Sequence, residues 1–282
     1  MTSTYKPSYR IHARLEKLYY LSDTHLEHTE CGKRTVPLAK PTHPETSAIA
    51  LLGDIGWVQE DSYWELIARC SALYGNVFVL LGNHEYFHHC IQEHSSHVRD
   101  EFHKRCIPNT YFLENETVEF DNVILWGSTL WTRPDATAFQ RINDARLITD
   151  KSVPAPHRLS ISTVHSVHHR ATQSLRKELA HLAISKKNLP VVVLTHHAPL
   201  AEANGEKYQT STRTSAYVNR LDEFMQLPII AWLYGHTHQN MAFHTPSGVF
   251  VSTNALGYPR ETLDVPFDPR KSFTIPVDMS MP

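Results

Sequence analysis

Short apolar runs of four to six residues punctuate the chain, and each ends in a polar cluster: LYYL before Ser22-Asp23, IALL before Gly53-Asp54, VFVLL before Gly82-Asn83, PVVVL before Thr195-His196, and IIAWLY before Gly235-His236. Continuous apolar runs of this length predict strands buried on both faces, with loops at their carboxyl ends. Between them, Ser62–Tyr74, Cys90–Lys104, Ser162–Ser185 and Ser215–Gln226 can form amphipathic helices. In the third, Ile161, Val164, His168, Ala171, Leu175, Leu179 and Leu182 recur at steps of three and four, which lines one helix face. Two hairpins are predicted: Thr117–Phe120 with Val123–Trp126 around Asp121-Asn122, and Met241–His244 with Val249–Ser252 around Thr-Pro-Ser-Gly. Alternation of strand and helix gives an α/β (α+β) fold class. With no internal repeat and no low-complexity linker, residues 1–282 read as a single domain. Ile148–Arg158 reads as an ordered loop, and a C-terminal extension from about residue 263, Pro-spotted after Val265, is expected to wrap the surface or fray.

Composition narrows the class. The 282 residues are 41% hydrophobic, which excludes a disordered or fibrous chain. A formal net charge of −2 supplies no global basic footprint, so nucleic acid is not indicated as a partner by charge. No apolar run reaches membrane-spanning length and the N-terminus lacks a signal-peptide core, so no membrane and a cytoplasmic location are expected. Cys31, Cys70, Cys90 and Cys106 form no C-x-x-C pair, and reduced thiols are expected. The abnormal number is 20 histidines, against 12 tyrosines and 11 phenylalanines.

Chemistry concentrates at the strand ends, which deliver Asp23-x-His25, Gly53-Asp54, Gly82-Asn83-His84-Glu85, His196-His197 and Gly235-His236-x-His238. Ligands of α/β sheets bind at the carboxyl ends of strands, so these blocks are expected to converge. Nitrogen and oxygen donors without thiolate suit Mn, Fe or Zn. Taken singly, Asp23 and Asn83 read as turn or capping residues; five blocks in one order favour a metal site.

The blocks resemble the calcineurin-like metallophosphoesterases, which share D-x-H, G-D, G-N-H-[DE], H and G-H-x-H in that order, and the match runs from Leu18 to Ser252. The resemblance implies a four-layer α-β-β-α sandwich and a binuclear metal-dependent phosphoesterase, hydrolysing a phosphodiester or phosphomonoester through a metal-bridging hydroxide. It places Asp23, His25 and His238 on one of two divalent or trivalent metal ions, Asn83, His196 and His236 on the other, and Asp54 between them. His84 would face the substrate, stabilising charge or protonating the leaving oxygen. The family's histidine falls on His196 or His197, and the strand alignment favours His196. LWGSTLW, Asn143-Asp144, THHAP and NALGYPRE are similar to a small bacterial-type subgroup. Substrate contacts are expected among His197, Arg133 and Tyr258, with Arg133, Arg141 and Arg146 placed in an insertion where a phosphate clamp could form. The second block lacks the Asp and Arg of the protein Ser/Thr phosphatases, which leaves Glu85 and the partner of His84 without an assignment. That phosphatase, a nuclease and a non-catalytic metal-binding scaffold stand as alternatives. Most other histidines read as structural or surface residues, His88 and His89 being nearest the site.

Overall fold

The strands run, in chain order, β1 (Tyr9–Arg10), β2 (Lys17–Leu21), β3 (Ser47–Leu52), β4 (Asn76–Leu80), β5 (Thr110–Phe112), β6 (Glu116–Glu119), β7 (Ile124–Ser128), β8 (Val191–Thr195), β9 (Ile229–Tyr234), β10 (Ala242–His244), β11 (Phe250–Thr253) and β12 (Ser272–Thr274). Five helices accompany them among the described residues: α1 (Asp61–Leu73), α2 (His94–Arg105), α3 (Ala136–Gln140), α4 (Asp144–Leu147) and α5 (Ile161–Ser185). This is a computed structural model, and it describes residues 7–28, 34–185 and 187–277. One sheet has the order β12-β2-β3-β4-β5 and the other β1-β6-β7-β8-β9-β11-β10.

The period of two along each strand sorts its apolar residues into two cores. Leu18, Tyr20, Ala50, Leu52 and Phe78 of the first sheet meet Leu125, Val192, Leu194 and Leu233 of the second. The alternate residues Tyr19, Leu21, Ile49, Leu51 and Val79 pack outward with Tyr63, Trp64, Ile67 and Val98 from α1 and α2. On the opposite outer face, Trp126, Val193 and Trp232 pack with Ala171, Leu175 and Leu182 of α5. The layers are therefore helix, sheet, sheet, helix, and the continuous apolar runs follow from burial on both faces. Each buried Val, Leu, Ile or Phe among them contributes about 1.5–3 kcal/mol by leaving water.

Both hairpins form: β6 pairs antiparallel with β7, closed by a Phe120 N–H donating to Val123 O at 2.9 Å, and β10 pairs antiparallel with β11. Three expectations need correction. The stretch 215–226 is not a helix but two 3-10 turns, Thr214–Ala216 and Asp222–Phe224, because Asn219 N–H and Leu221 N–H donate to Ala198 O and Pro199 O instead of to a preceding helical turn. Helix α2 starts at His94 rather than near Cys90, since Ile91 N–H is taken by Thr149 O. The tail does not fray over 272–274: β12 pairs antiparallel with β2, Phe273 opposite Leu18, and extends the first sheet. Cys70, Cys90 and Cys106 are free thiols; Cys31 lies outside the described residues. No helix among the described residues is long and apolar enough to cross a membrane.

For function the decisive point is parallelism. β2, β3 and β4 are parallel neighbours, as are β8 and β9, so each trio or pair delivers its carboxyl ends to one edge. The two edges are joined where Ser22 N–H donates to Asn254 O at 3.2 Å, forming an isolated bridge between Ser22 and Ala255.

Candidate metal centre

The chain turns sharply as it leaves each strand. Asp23 (φ 53°), His25 (44°), Asp54 (51°), His236 (69°) and His238 (51°) all lie in the left-handed region, where a non-glycine residue costs of order 1–3 kcal/mol. Interlocked backbone bonds hold them there: Asp23 N–H donates to Gly53 O, His25 N–H to Asp54 O, and Gly235 N–H to His196 O. Gly53 is needed both for its φ of 84° and for space, because a Cβ on it would sit 2.5 Å from Gly82 N and 2.6 Å from His196 Nδ1. A Cβ on Gly82 would strike the Asp54 carboxylate.

Four strand ends thus converge into two groups of donor atoms, Asp23 with His25 and His238, and Asp54 with His196 and His236, while His25 also lies with Glu27, His28 and His84. Their tautomers follow from outer partners. His25 Nδ1–H donates to Glu27 at 3.0 Å and His238 Nδ1–H to Glu261 at 2.7 Å, since a carboxylate can only accept. The two Nε2 atoms then face each other across 3.1 Å, with Asp23 Oδ1 3.4 Å from His238 Nε2. In the second group His196 Nδ1–H donates to Leu52 O at 2.8 Å, so its Nε2 faces Asn83 Oδ1 at 3.2 Å and Asp54 Oδ1 at 3.4 Å. Asn83 is oriented in turn, its amide Nδ2–H donating to the buried Asp144 at 2.8 Å. Imidazole nitrogens and carboxylate oxygens facing one another need positive charge between them, a proton in the empty site or a metal ion, so the donor set fits cations. The field says the same. Burial opposes protonation of His196 and His238, yet Asp54 holds the first up at about 9 and Asp23 the second at about 10. His236 is pushed the other way, well below its ordinary value, by burial and by His197 and His196.

His84 sits beside both groups. Its Nδ1–H donates to the same Glu27 oxygen that serves His25, at 3.0 Å, and its Nε2 lies 3.2 Å from Tyr258 Oη and 3.9 Å from Asp54 Oδ2. Burial lowers its pKa, but Asp54 and Glu27 outweigh burial and hold it at about 9, so the ring is an imidazolium at neutral pH and Nε2–H donates to the phenol. Glu85, which has no Arg to pair with in the second block, instead accepts the backbone N–H groups of Asp54, Ile55 and Gly82 at 3.0, 2.7 and 2.7 Å. It binds the second and third strand-end loops together.

Asp54, Asn83, His84, His236 and His238 form the floor of a cavity of about 400 Å³ walled by Phe87, Ile142, Tyr208, Tyr217 and Tyr258. Tyr258 is at the cavity as expected. His197 is buried behind it, its Nδ1–H donating to Thr129 O at 3.2 Å and its ring 4.3 Å from that of His236. Arg133 departs from expectation: it is exposed and lines a separate cavity, because the 131–134 segment is drawn toward α5 by His165 and His168, whose ring N–H groups donate to Pro134 O and Trp131 O. The sequence reading missed Glu27 and Glu261. Glu27 was legible as the second residue after D-x-H, an acid placed to reach the ring nitrogen that His25 keeps free; Glu261 lay within NALGYPRE without a role.

Residues 17–240 match the calcineurin-like phosphoesterase family, and the chain belongs to that family. An uncharacterized protein of Acanthamoeba polyphaga mimivirus is 33% identical over 265 residues, spanning 86% of this chain and 92% of its relative. Among solved structures, phosphopantetheinyl hydrolase from Mycobacterium tuberculosis superposes with a TM-score of 0.63 at 14% identity, covering 89% of this chain and 92% of that one, a likeness of fold. A putative 5'-nucleotidase from Staphylococcus aureus, in complex with alpha-ketoglutarate, is similar at a TM-score of 0.46 and 14% identity over 84% of this chain and 48% of that one.

Proposed function

We propose that the protein is a binuclear metal-dependent phosphoesterase whose first substrate class is phosphodiesters. The observation that carries this reading is the pair of carboxylate–imidazole clusters beneath a cavity onto which a protonated His84 faces. Asp23, His25 and His238 would hold one cation, Asn83, His196 and His236 the other, and Asp54 both. Bound there, Mn, Fe or Zn would supply Lewis-acid charge and a water acidic enough to act as nucleophile at neutral pH. The chain's own residues do the rest. His84 donates the Nε2 proton, held in the resting site by Tyr258 Oη, to the departing alkoxide. Glu27 keeps that ring in the right tautomer and charged, while Asp144 keeps the Asn83 carbonyl turned inward.

The charge of the cavity favours a diester. Among the described side chains lining this cavity, Arg213 is the one guanidinium, and Asp144 and Glu261 are acidic. A phosphomonoester dianion asks for more cationic partners than a diester monoanion, and the aromatic walls suit a second ester arm. A protein Ser/Thr phosphatase is disfavoured because Glu85 is occupied by backbone donors. The test is hydrolysis of bis-p-nitrophenyl phosphate and p-nitrophenyl phosphate by metal-loaded protein. Diester turnover above monoester turnover, abolished by chelation, is expected; hydrolysis of neither by protein carrying two metals would leave only a metal-binding scaffold.

A further inference from the structure

Behind the wall of the metal cavity lies a second, larger cavity of about 820 Å³ that shares Ser211 and Thr214 with the first. Its charged lining is unbalanced once internal pairs are removed. Arg176 is spent on Glu223 at 2.6 Å and on the face of Phe224. Asp135 accepts Ala138 N–H at 2.9 Å as the N-cap of α3 and the Ser215 hydroxyl at 2.7 Å. Arg133 and Arg220 are left, both exposed and neither with a hydrogen bond or ion pair among the described residues. Their backbones, by contrast, are fixed on both sides. His168 and His165 hold Trp131 O and Pro134 O around Arg133, at 2.7 and 2.9 Å. Asn219 N–H and Leu221 N–H, donating to Ala198 O and Pro199 O, hold the residues around Arg220.

We propose that this cavity is a second anion site, in which Arg133 and Arg220 hold a phosphate or a like dianion. Two guanidinium groups without an internal partner, on rigid backbone and lining one cavity, leave their N–H donors to an anion there, and guanidinium geometry matches phosphate oxygens in pairs. The contiguity through Ser211 and Thr214 admits two sources: a distal phosphate on the substrate itself, which rests on the phosphoesterase reading, or a free phosphate.

Two measurements on the metal-loaded protein separate them. Thymidine 5'-(p-nitrophenyl phosphate) is compared with its 3'-phosphorylated form, in wild type and in the Arg133→Ala/Arg220→Ala variant, and inorganic phosphate binding is counted by calorimetry in both proteins. For a substrate-borne phosphate, the 3'-phosphate raises kcat/KM of wild type by about tenfold or more through KM, the worth of a charge-assisted pair, and the double variant loses that preference. For a free anion, the two esters react alike but wild type binds one more phosphate than the variant. Equal phosphate counts with no substrate preference overturn the site. If neither ester is hydrolysed, the phosphoesterase reading fails and the calorimetric count still decides the anion site.

Discussion

One oxygen of Glu27 is shared by two imidazoles: Oε1 lies 3.0 Å from Nδ1 of His25 and 3.0 Å from Nδ1 of His84. Burial raises the Glu27 pKa, but hydrogen bonds from the two rings prevail and hold it at about 2, so it stays a carboxylate across the working range. A single charge therefore sets the tautomer of an expected metal ligand and the protonation of the expected acid. Glu27→Gln should lower the His84 pKa from about 9. An acid works while protonated, so the alkaline limb of the pH–rate profile for a diester should move to lower pH, with kcat falling more than KM changes. An alkaline limb that stays in place, measured at saturating metal, would remove Glu27 from this role.

Proton donation matters most when the leaving group is poor. His84→Ala should slow an alkyl phosphodiester by about 10²–10⁴-fold, the usual span of general acid catalysis, and a p-nitrophenyl diester by much less, because that phenolate departs without a proton. Equal losses on both substrates would make His84 a charge stabiliser rather than an acid.

His196 and His197 can be told apart by metal count. His196 Nε2 faces Asn83 and Asp54, whereas His197 uses Nδ1–H on Thr129 O and is pushed down to about 3 by burial and by His196. His196→Ala should lose about one metal equivalent by elemental analysis and most turnover, and His197→Ala should retain both metals. The reverse result would exchange the two assignments.

Much of this site was legible in the sequence because each metal-type residue follows an apolar run that can only be a buried strand; parallel pairing then brings Asp23, Asp54 and Asn83 to one edge and His196 and His236 to the facing one. The outer partners were harder to read. Glu27, Asp144 and Glu261 act through hydrogen bonds whose meaning depends on how the imidazole or amide they hold is turned, and no periodicity encodes that. The failed helix at 215–226 has a similar cause: its amphipathic spacing is real, but the backbone there is recruited by Ala198 and Pro199. Arg133 sits in the expected insertion, yet α5 histidines turn its segment toward the other cavity.

Removing metal should also destabilise the fold. Asp23 and Asp54 are buried carboxylates whose charge in the empty cradle is met by protonated His238 and His196, and bound cations would take the place of those protons with stronger coordination. Ligand linkage gives about 4 kcal/mol at a metal concentration 1,000-fold above Kd. Chelated protein should melt several degrees below the loaded form, and Asp54→Asn, which weakens both groups at once, should shrink that gap. Identical melting of loaded and chelated protein would argue against occupancy of the cradle.

Acid should act on stability through a different histidine. His94, the first residue of α2, is buried between the rings of His89 and Tyr86, hydrogen-bonds the backbone of Glu85, and has no partner for Nε2. Burial, with His89 and His97 beside it, lowers its pKa to about 3. The folded state thus keeps this ring neutral while the unfolded chain protonates near pH 6.5. Below that value the unfolded state binds the extra proton, so stability is lost as pH falls from about 6.5 toward 3, at up to about 1.4 kcal/mol per pH unit from this group. His94→Phe keeps the stacked ring and removes the proton. Urea unfolding at pH 7 and pH 5 should show a steeper loss for wild type than for the variant; parallel losses would place the acid sensitivity elsewhere. Because His94 holds the carbonyl side of the His84–Glu85 turn, the same protonation should loosen the segment that carries the expected acid, and turnover at pH 5 should fall further in wild type than in His94→Phe.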